Sequence, residues 1–273
     1  MKVDKKPRWL LCRPSHYSVT YQINPWMDVS KVPTAALAAT QHSALIAALE
    51  RTGCATEFVA PQAGLPDMVF TANAGIVVGK RCVLARFRYP ERRGEEHFFQ
   101  EWFEQHGFTV VKLTKGFHEG EGDALFVRPG VLFGGYGFRS DRAAQEEVAE
   151  LLGCSALVPC NLIDGRFYHL DTCFTPIDAN RALFVPSAFA KDSIREMERN
   201  VELFPVSEAD ALRFACNAVV VDKSVVMPAG CAATEALLKT WGFTPSPVEM
   251  TEYLKAGGAT KCLSLQLDRD CVS

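Results

Sequence analysis

The chain has 273 residues, of which 48% are hydrophobic and 22% charged, with a formal net charge of −3. That length supplies one large domain or two small ones with ample apolar material for a core. The small charge excludes the basic footprint of a nucleic-acid or anionic-membrane binder. No stretch approaches the ~20 apolar residues of a membrane span, and the apolar run within the basic N-terminal segment is too short for a secretion signal. Ten cysteines are present with no CxxC spacing, and six scattered histidines form no zinc pattern. A soluble cytoplasmic protein with reduced thiols and no metal or cofactor is expected.

A strand is predicted at Trp9–Arg13. Tyr17–Met27 is polar and aromatic and is broken by Asn24-Pro25. A helix follows from Thr34, an N-cap residue type, through Leu37, Leu45, Ile46 and Leu49 to Gly53, and then a strand from Cys54 to Val59. The same succession returns at Gly94–Gly107 with Phe108–Leu113, Ser140–Gly153 with Ser155–Val158, Ser187–Asn200 with Val201–Val206, and Ala232–Gly242 with Phe243–Val248. Hairpins complete the units, each made of two apolar runs around turn residues. They are Gly75–Leu84 turning at Gly79-Lys80, Ala124–Phe133 at Pro129-Gly130, Phe174–Val185 around Asp178-Ala179-Asn180, and Ala218–Met227 at Asp222-Lys223.

The unit is therefore strand, strand, helix, strand, taken five times. Its fifth hairpin requires Leu263–Leu267 to pair with Trp9–Arg13, which closes a ring and leaves no weak terminal unit. No linker or low-complexity segment divides the chain, so residues 1–273 are expected to form a single domain. Ahead of the hairpins stand Asn73; Glu119, Glu121 and Asp123; His169 and Asp171; Asn217; and Cys262. Positions 73, 123, 171, 217 and 262 lie 50, 48, 46 and 45 residues apart, so closure predicts that they meet at one end of the pseudo-axis.

Gly257-Gly258-Ala259-Thr260-Lys261-Cys262 has the character of a flexible loop delivering a thiol to the mouth of a strand. Taken singly, each of these residues is better explained by packing, a turn or a solvated surface. Jointly, carboxylates, a histidine and a thiol suit a guanidinium, a planar cation whose fork of N–H donors matches carboxylates. Its charge also favours the thiolate, the form in which a cysteine is nucleophilic.

Phe70-Thr71-Ala72-Asn73, Glu119-Gly120-Glu121-Gly122-Asp123, His169-Leu170-Asp171-Thr172-Cys173-Phe174 and the Gly257–Cys262 loop resemble, in this order, the motifs of the guanidine-modifying enzymes, the pentein superfamily. That superfamily includes arginine deiminase, dimethylarginine dimethylaminohydrolase, glycine amidinotransferase and arginine dihydrolase. The resemblance implies a five-bladed α/β propeller with pseudo-fivefold symmetry. It also implies Cys262 as nucleophile, His169 as general acid/base, and Glu119 and Asp171 as guanidinium ligands. Whether Glu119 or Glu121 faces the substrate is left open. Arg92 and Arg139 match positions that hold a substrate carboxylate. Deiminases carry aspartate where this chain has Asn73; Asn73, together with Asn24, resembles the dihydrolase branch. The implied reaction takes arginine to ornithine, ammonia and carbon dioxide through a covalent thiouronium on Cys262. The alternatives are hydrolysis of arginine or methylated arginine to citrulline, amidino transfer, and a non-catalytic binding module. The expected partner is a small guanidino compound, with no nucleic acid or membrane, and a homo-oligomer is left open.

Overall fold

The computed structural model describes residues 6–270. Its strands form five three-stranded sheets, each with the same topology. The first sheet contains β1 (Arg8–Cys12), then helix α1 (Ala35–Arg51) and β2 (Ala55–Val59). The second holds the hairpin β3 (Gly75–Val78) and β4 (Arg81–Leu84), followed by α2 (Pro90–Arg93), α3 (Glu95–Gln105) and β5 (Thr109–Val111). In the third, β6 (Ala124–Arg128) and β7 (Val131–Tyr136) lead through α4 (Arg142–Leu151) to β8 (Ala156–Asn161). The fourth comprises β9 (Phe174–Pro176), β10 (Arg181–Phe184), α5 (Lys191–Glu198) and β11 (Glu202–Pro205). After the short helix α6 (Glu208–Ala211), the fifth comprises β12 (Val219–Val221), β13 (Ser224–Pro228), α7 (Ala232–Thr240) and β14 (Thr244–Val248). A further helical turn, α8 (Thr251–Leu254), precedes β15 (Leu265–Gln266).

Each middle strand pairs antiparallel with its hairpin partner and parallel with the strand that follows its helix. The expected fifth hairpin forms between the chain ends: β15 runs antiparallel to β1, with Trp9 opposite Gln266 and Leu10 opposite Leu265. A hairpin unites neighbours in sequence, whereas this pair joins residues more than 250 positions apart.

The middle strands β1, β4, β7, β10 and β13 are largely buried apolar runs because both faces are covered, whereas β2, β5, β11 and β14 at the sheet edges are partly exposed. All four residues of β3 are buried. Ile76, Val78 and Val83 of the second unit pack in one cluster with Ala144, Val148 and Ala149 of the third unit's helix, so adjacent units share a core. In α4 the buried residues Ala144, Gln145, Val148 and Ala149 fall at helical spacing on one face. Gly153, at φ +68°, ends that helix in the left-handed conformation.

Four sequence expectations change in detail. Helix α1 starts after Thr34, but the Thr34 side chain makes no cap; the Thr34 N–H is instead held by Glu252 Oε2 at 2.5 Å. The helix predicted from Gly94 is α3, and a separate helical turn before it, α2, carries Arg92. The helix expected from Ser187 starts at Lys191, after a 3₁₀ turn at Pro186–Ala188. The strand expected from Leu263 shortens to Leu265–Gln266, which leaves Cys262 in the turn before it.

Candidate active site

The loops ahead of the hairpins are short 3₁₀ turns at Thr71–Ala74, Gly120–Gly122 and Leu170–Thr172, and they converge. Asn73, Glu119, Asp123, His169, Asp171, Asn217 and Cys262 are all at most 3% exposed. The close approach depends on Gly122, where a Cβ would collide with Asn73 Nδ2 and sit 3.3 Å from His169 Nδ1.

Cys262 Sγ lies 3.0 Å from Asn217 Nδ2 and 3.3 Å from Asp171 Oδ2. Asn217 also accepts the backbone N–H groups of Lys261 (2.9 Å) and Cys262 (3.1 Å) through Oδ1. One amide thus orients the backbone and the sulfur of the thiol together. Burial, reinforced by Asp171, pushes the Cys262 thiol well above its ordinary range, so in the unliganded protein it is protonated. Burial also raises Asp171 to about 7, against the opposing pull of Lys261. Asp171 Oδ1 is buried with no hydrogen-bond partner.

His169 Nε2 is 2.8 Å from Glu119 Oε2, an oxygen also bonded by Arg139 Nη1 at 2.9 Å. Burial opposes ionisation of Glu119, but Arg139 and His169 outweigh it and hold the carboxyl well below its usual range. A carboxylate only accepts, so His169 Nε2 carries the proton in this pair and Nδ1 is left to exchange one. Glu119 Oε1 takes only the Arg88 N–H, at 3.3 Å.

The two glutamates differ in their partners. Glu121 is bound by Lys261 at 2.8 Å and Arg269 at 2.5 Å, and these cations hold its pKa down despite burial. It is a buried ion-pair residue; Glu119 is the one joined to the histidine.

Other candidates are hydrogen-bonded within the protein. Both Asp123 oxygens are engaged, one by Ser140 Oγ (2.6 Å) and one by the Leu170 N–H (3.0 Å), so Asp123 fixes the loop that carries His169 and Asp171. Asn24 Oδ1 accepts the Trp26 N–H at 2.9 Å, and its Nδ2 donates to Ala256 O at 3.0 Å. Tyr168 Oη donates to Gly257 O at 2.7 Å and Tyr17 Oη to Glu252 O at 2.9 Å. The loop expected to be flexible is therefore held by Tyr168 at Gly257 and by Asn217 at Lys261 and Cys262, while Asn24 and Tyr17 hold the residues just before it. Gly257 is needed there for its φ of +78°. Arg92 donates to Glu95, Asp67 and Asn73.

Arg139 connects this cluster to the surface. Its guanidinium lies between the rings of Tyr89 (4.8 Å) and Tyr168 (4.6 Å). It lines a cleft of about 400 Å³ with Ile23, Asn24, Tyr89 and Tyr168. Asp67 was not singled out from sequence. It is 2% exposed, its Oδ1 has no partner, and burial raises its pKa against the pull of Arg92. Its signal was a lone carboxylate in the apolar run Leu65–Phe70. His118, beside Glu119, is fully buried with neither ring nitrogen bonded, and burial lowers it to about 4, so it is neutral.

The family model described as arginine deiminase matches residues 36–242. A bifunctional arginine dihydrolase/ornithine cyclodeaminase, AgrE of Nostoc sp., is 43% identical over 95% of this chain. The chain spans only 38% of that protein's length. An N(G),N(G)-dimethylarginine dimethylaminohydrolase of Mycobacterium tuberculosis is 39% identical, over 97% of this chain and 87% of its own length. Among solved structures, the N-terminal domain of ArgZ, a cyanobacterial arginine dihydrolase, matches with a TM-score of 0.94 and 41% identity. That match covers 97% of this chain and 100% of the other, which is a cysteine-to-serine mutant bound to substrate.

Proposed function

Since the chain belongs to the arginine deiminase family, we propose that it is a cysteine-dependent guanidine hydrolase that converts arginine to ornithine, ammonia and carbon dioxide. The observation that carries this reading is the buried, unpartnered Asp171 Oδ1 beside the Cys262 thiol. A cationic N–H donor satisfies that oxygen and supplies the charge a thiolate needs. The AgrE and ArgZ likenesses favour arginine as the guanidine and full hydrolysis as the outcome.

In this reading the guanidinium N–H groups bond Asp171, Cys262 passes its thiol proton to His169 Nδ1, and the thiolate adds to the guanidinium carbon. His169 protonates the departing ammonia from Nδ1, with its ring held through Nε2 by Glu119. The product is a thiouronium on Cys262. Water, deprotonated by His169, then adds to that carbon. Loss of the thiolate gives citrulline; a second round at the same carbon expels a second ammonia and ends in ornithine and carbon dioxide. One arginine and two waters give one ornithine, two ammonia and one carbon dioxide. Arg139, which lines the cleft, takes the α-carboxylate, and the free Asp67 oxygen takes the α-ammonium.

A second reading, hydrolysis of methylated arginine, is favoured by the M. tuberculosis relative. We take the five sheets to be the blades of one propeller domain spanning residues 1–273. No helix among the described residues is long and apolar enough to cross a membrane, and we propose that the protein acts in the cytoplasm. The test is a time course of ornithine, citrulline and ammonia from arginine and from dimethylarginine. Two ammonia and one ornithine per arginine are expected; citrulline as the sole end product would refute the dihydrolase assignment.

A further inference from the structure

Away from the active-site cleft, the second unit holds an open cavity of about 400 Å³. Arg86, Arg93 and Lys112 line it, all three exposed, together with Glu96 and Gln100. Neighbouring cations are paired: Arg88 with Asp141, Arg92 with Glu95, and His97 with Glu101. Among the described residues, Arg86, Arg93 and Lys112 have no carboxylate within ion-pair distance. Arg86 and Arg93 also crowd with Arg88 around the Phe117 ring, at 5.7, 5.6 and 4.8 Å from its centre. Three guanidinium groups share that ring, and Asp141 neutralises only Arg88. Like charges gathered in this way repel, and a bound anion offsets the repulsion.

The donors of these cations are largely uncommitted. Arg93 gives Nε to Phe87 O at 3.2 Å and Nη2 to Arg88 O at 2.8 Å, two of the five N–H groups of a guanidinium. The Arg86 and Lys112 side chains make no hydrogen bond among the described residues. The cavity also carries acceptors. Glu96 Oε1 takes the Phe87 N–H at 2.8 Å, and its Oε2 takes no hydrogen bond among the described residues. Burial raises the Glu96 pKa, while the Phe87 N–H, Arg93, Arg86 and Lys112 pull it the other way, so all three cations act on this carboxyl. Gln100 gives Nε2 to Glu104 at 2.7 Å, which leaves its Oε1 to accept. The lining thus offers three cations to anionic groups and two acceptors to a donor.

We propose that this cavity is a second binding site, for a small dicarboxylate that bears an ammonium group, the chemistry of an acidic amino acid. The two carboxylates are shared among Arg86, Arg93 and Lys112, and the ammonium meets Glu96. The surplus negative charge of the ligand answers the surplus positive charge of the lining. The site also borders the catalytic residues. Arg86 exchanges both backbone hydrogen bonds with His118, at 2.8 and 3.1 Å, and the Arg88 N–H reaches Glu119 Oε1 at 3.3 Å. A ligand that immobilises Arg93 also immobilises the Phe87 and Arg88 carbonyls it holds, so occupancy is felt at Glu119. The site itself does not depend on the reaction; its effect on turnover rests on the hydrolase reading above.

The test is calorimetric titration of the intact chain with L-glutamate, succinate and sulfate at pH 8 and constant ionic strength. L-Glutamate should bind about tenfold more tightly than succinate, since only its ammonium satisfies Glu96, and Glu96→Gln should erase that difference. Arg86→Ala combined with Lys112→Ala should weaken L-glutamate about tenfold or more. Arg195→Ala, at an exposed arginine of α5, should leave it unchanged. Absence of binding overturns the proposal outright. Sulfate binding as tightly as L-glutamate also overturns it, because the cavity then collects any anion. So does an unchanged affinity in the double variant, which puts the ligand in the catalytic cleft instead. Saturating L-glutamate should change kcat/KM for arginine about twofold or more in the wild type and not in the double variant. A constant kcat/KM overturns the coupling and leaves the site to the titrations. A wild type that turns over neither arginine nor dimethylarginine refutes the hydrolase reading, and the titrations still decide the site.

Discussion

Cys262 Sγ lies 3.3 Å from Asp171 Oδ2, both buried, so the thiol and the carboxyl cannot both be ionised unless a cation joins them. In the unliganded protein the thiol keeps its proton, and a guanidinium is the natural third member.

The pH dependence follows from Asp171. Its folded pKa, raised by burial to about 7, lies above the unfolded value of roughly 3.9. Between those values the unfolded chain has lost a proton that the native state keeps. This contribution to stability is thus present in acid and lost as pH rises from about 4 through about 7. Asp171→Asn should melt at a higher temperature than wild type at pH 8 and converge with it near pH 4. Conversely, binding the cation requires the carboxylate, so kcat/KM should fall below about pH 7. A wild-type kcat/KM flat from pH 5 to 8 would exclude Asp171 as the ligand.

Cys262→Ser should abolish turnover and leave the circular dichroism spectrum unchanged, because an alkoxide is far harder to form than a thiolate. The neutral reagent iodoacetamide should label wild-type Cys262 slowly at pH 7.5, given its elevated pKa. A cationic haloacetamidine, which brings its own charge, should label it faster. Equal labelling rates would mean that the site does not sense the cation.

His169→Ala should slow turnover by roughly 10²–10⁴-fold and let a covalent adduct accumulate, detectable by mass spectrometry of the quenched enzyme. An unaltered rate and pH profile would remove His169 from proton transfer.

Lys261 is 2.8 Å from Glu121 and lowers the Asp171 pKa. Lys261→Met should move the acidic limb of kcat/KM to higher pH. It should also destabilise the fold by about 3 kcal/mol in urea melts, since one partner of a buried pair is lost. A limb that stays in place would show that Lys261 acts on packing alone.

Asn73→Asp replaces the N–H that reaches Glu119 O with an oxygen, while the other oxygen still accepts from Arg92. Cleavage of arginine should persist and the products should shift from ornithine toward citrulline, from two ammonia per arginine to nearer one. Equal ornithine from both proteins would show that the donor at position 73 does not decide the outcome.

The turns Gly79-Lys80, Pro129-Gly130 and Asp222-Lys223, and the apolar runs flanking them, were legible in the sequence because hairpins are governed by neighbours. The five-fold count of these units then implied the pairing of β1 with β15, which the structure contains. With that count came the convergence of Asn73, Glu119, His169, Asp171, Asn217 and Cys262, because equivalent loops in a closed repeat share one end. The partners of similar side chains were set only by tertiary structure. Glu119 and Glu121 are two residues apart and chemically identical, yet one meets His169 and Arg139 while the other meets Lys261 and Arg269. Arg92 and Arg139 likewise differ through what surrounds them: the first is spent on Glu95, Asp67 and Asn73, and the second lines an open cleft. Backbone pattern is written in local sequence, whereas the charge and hydrogen-bond partners of a buried group come from residues as many as 235 positions away, and they exist only once the chain has closed.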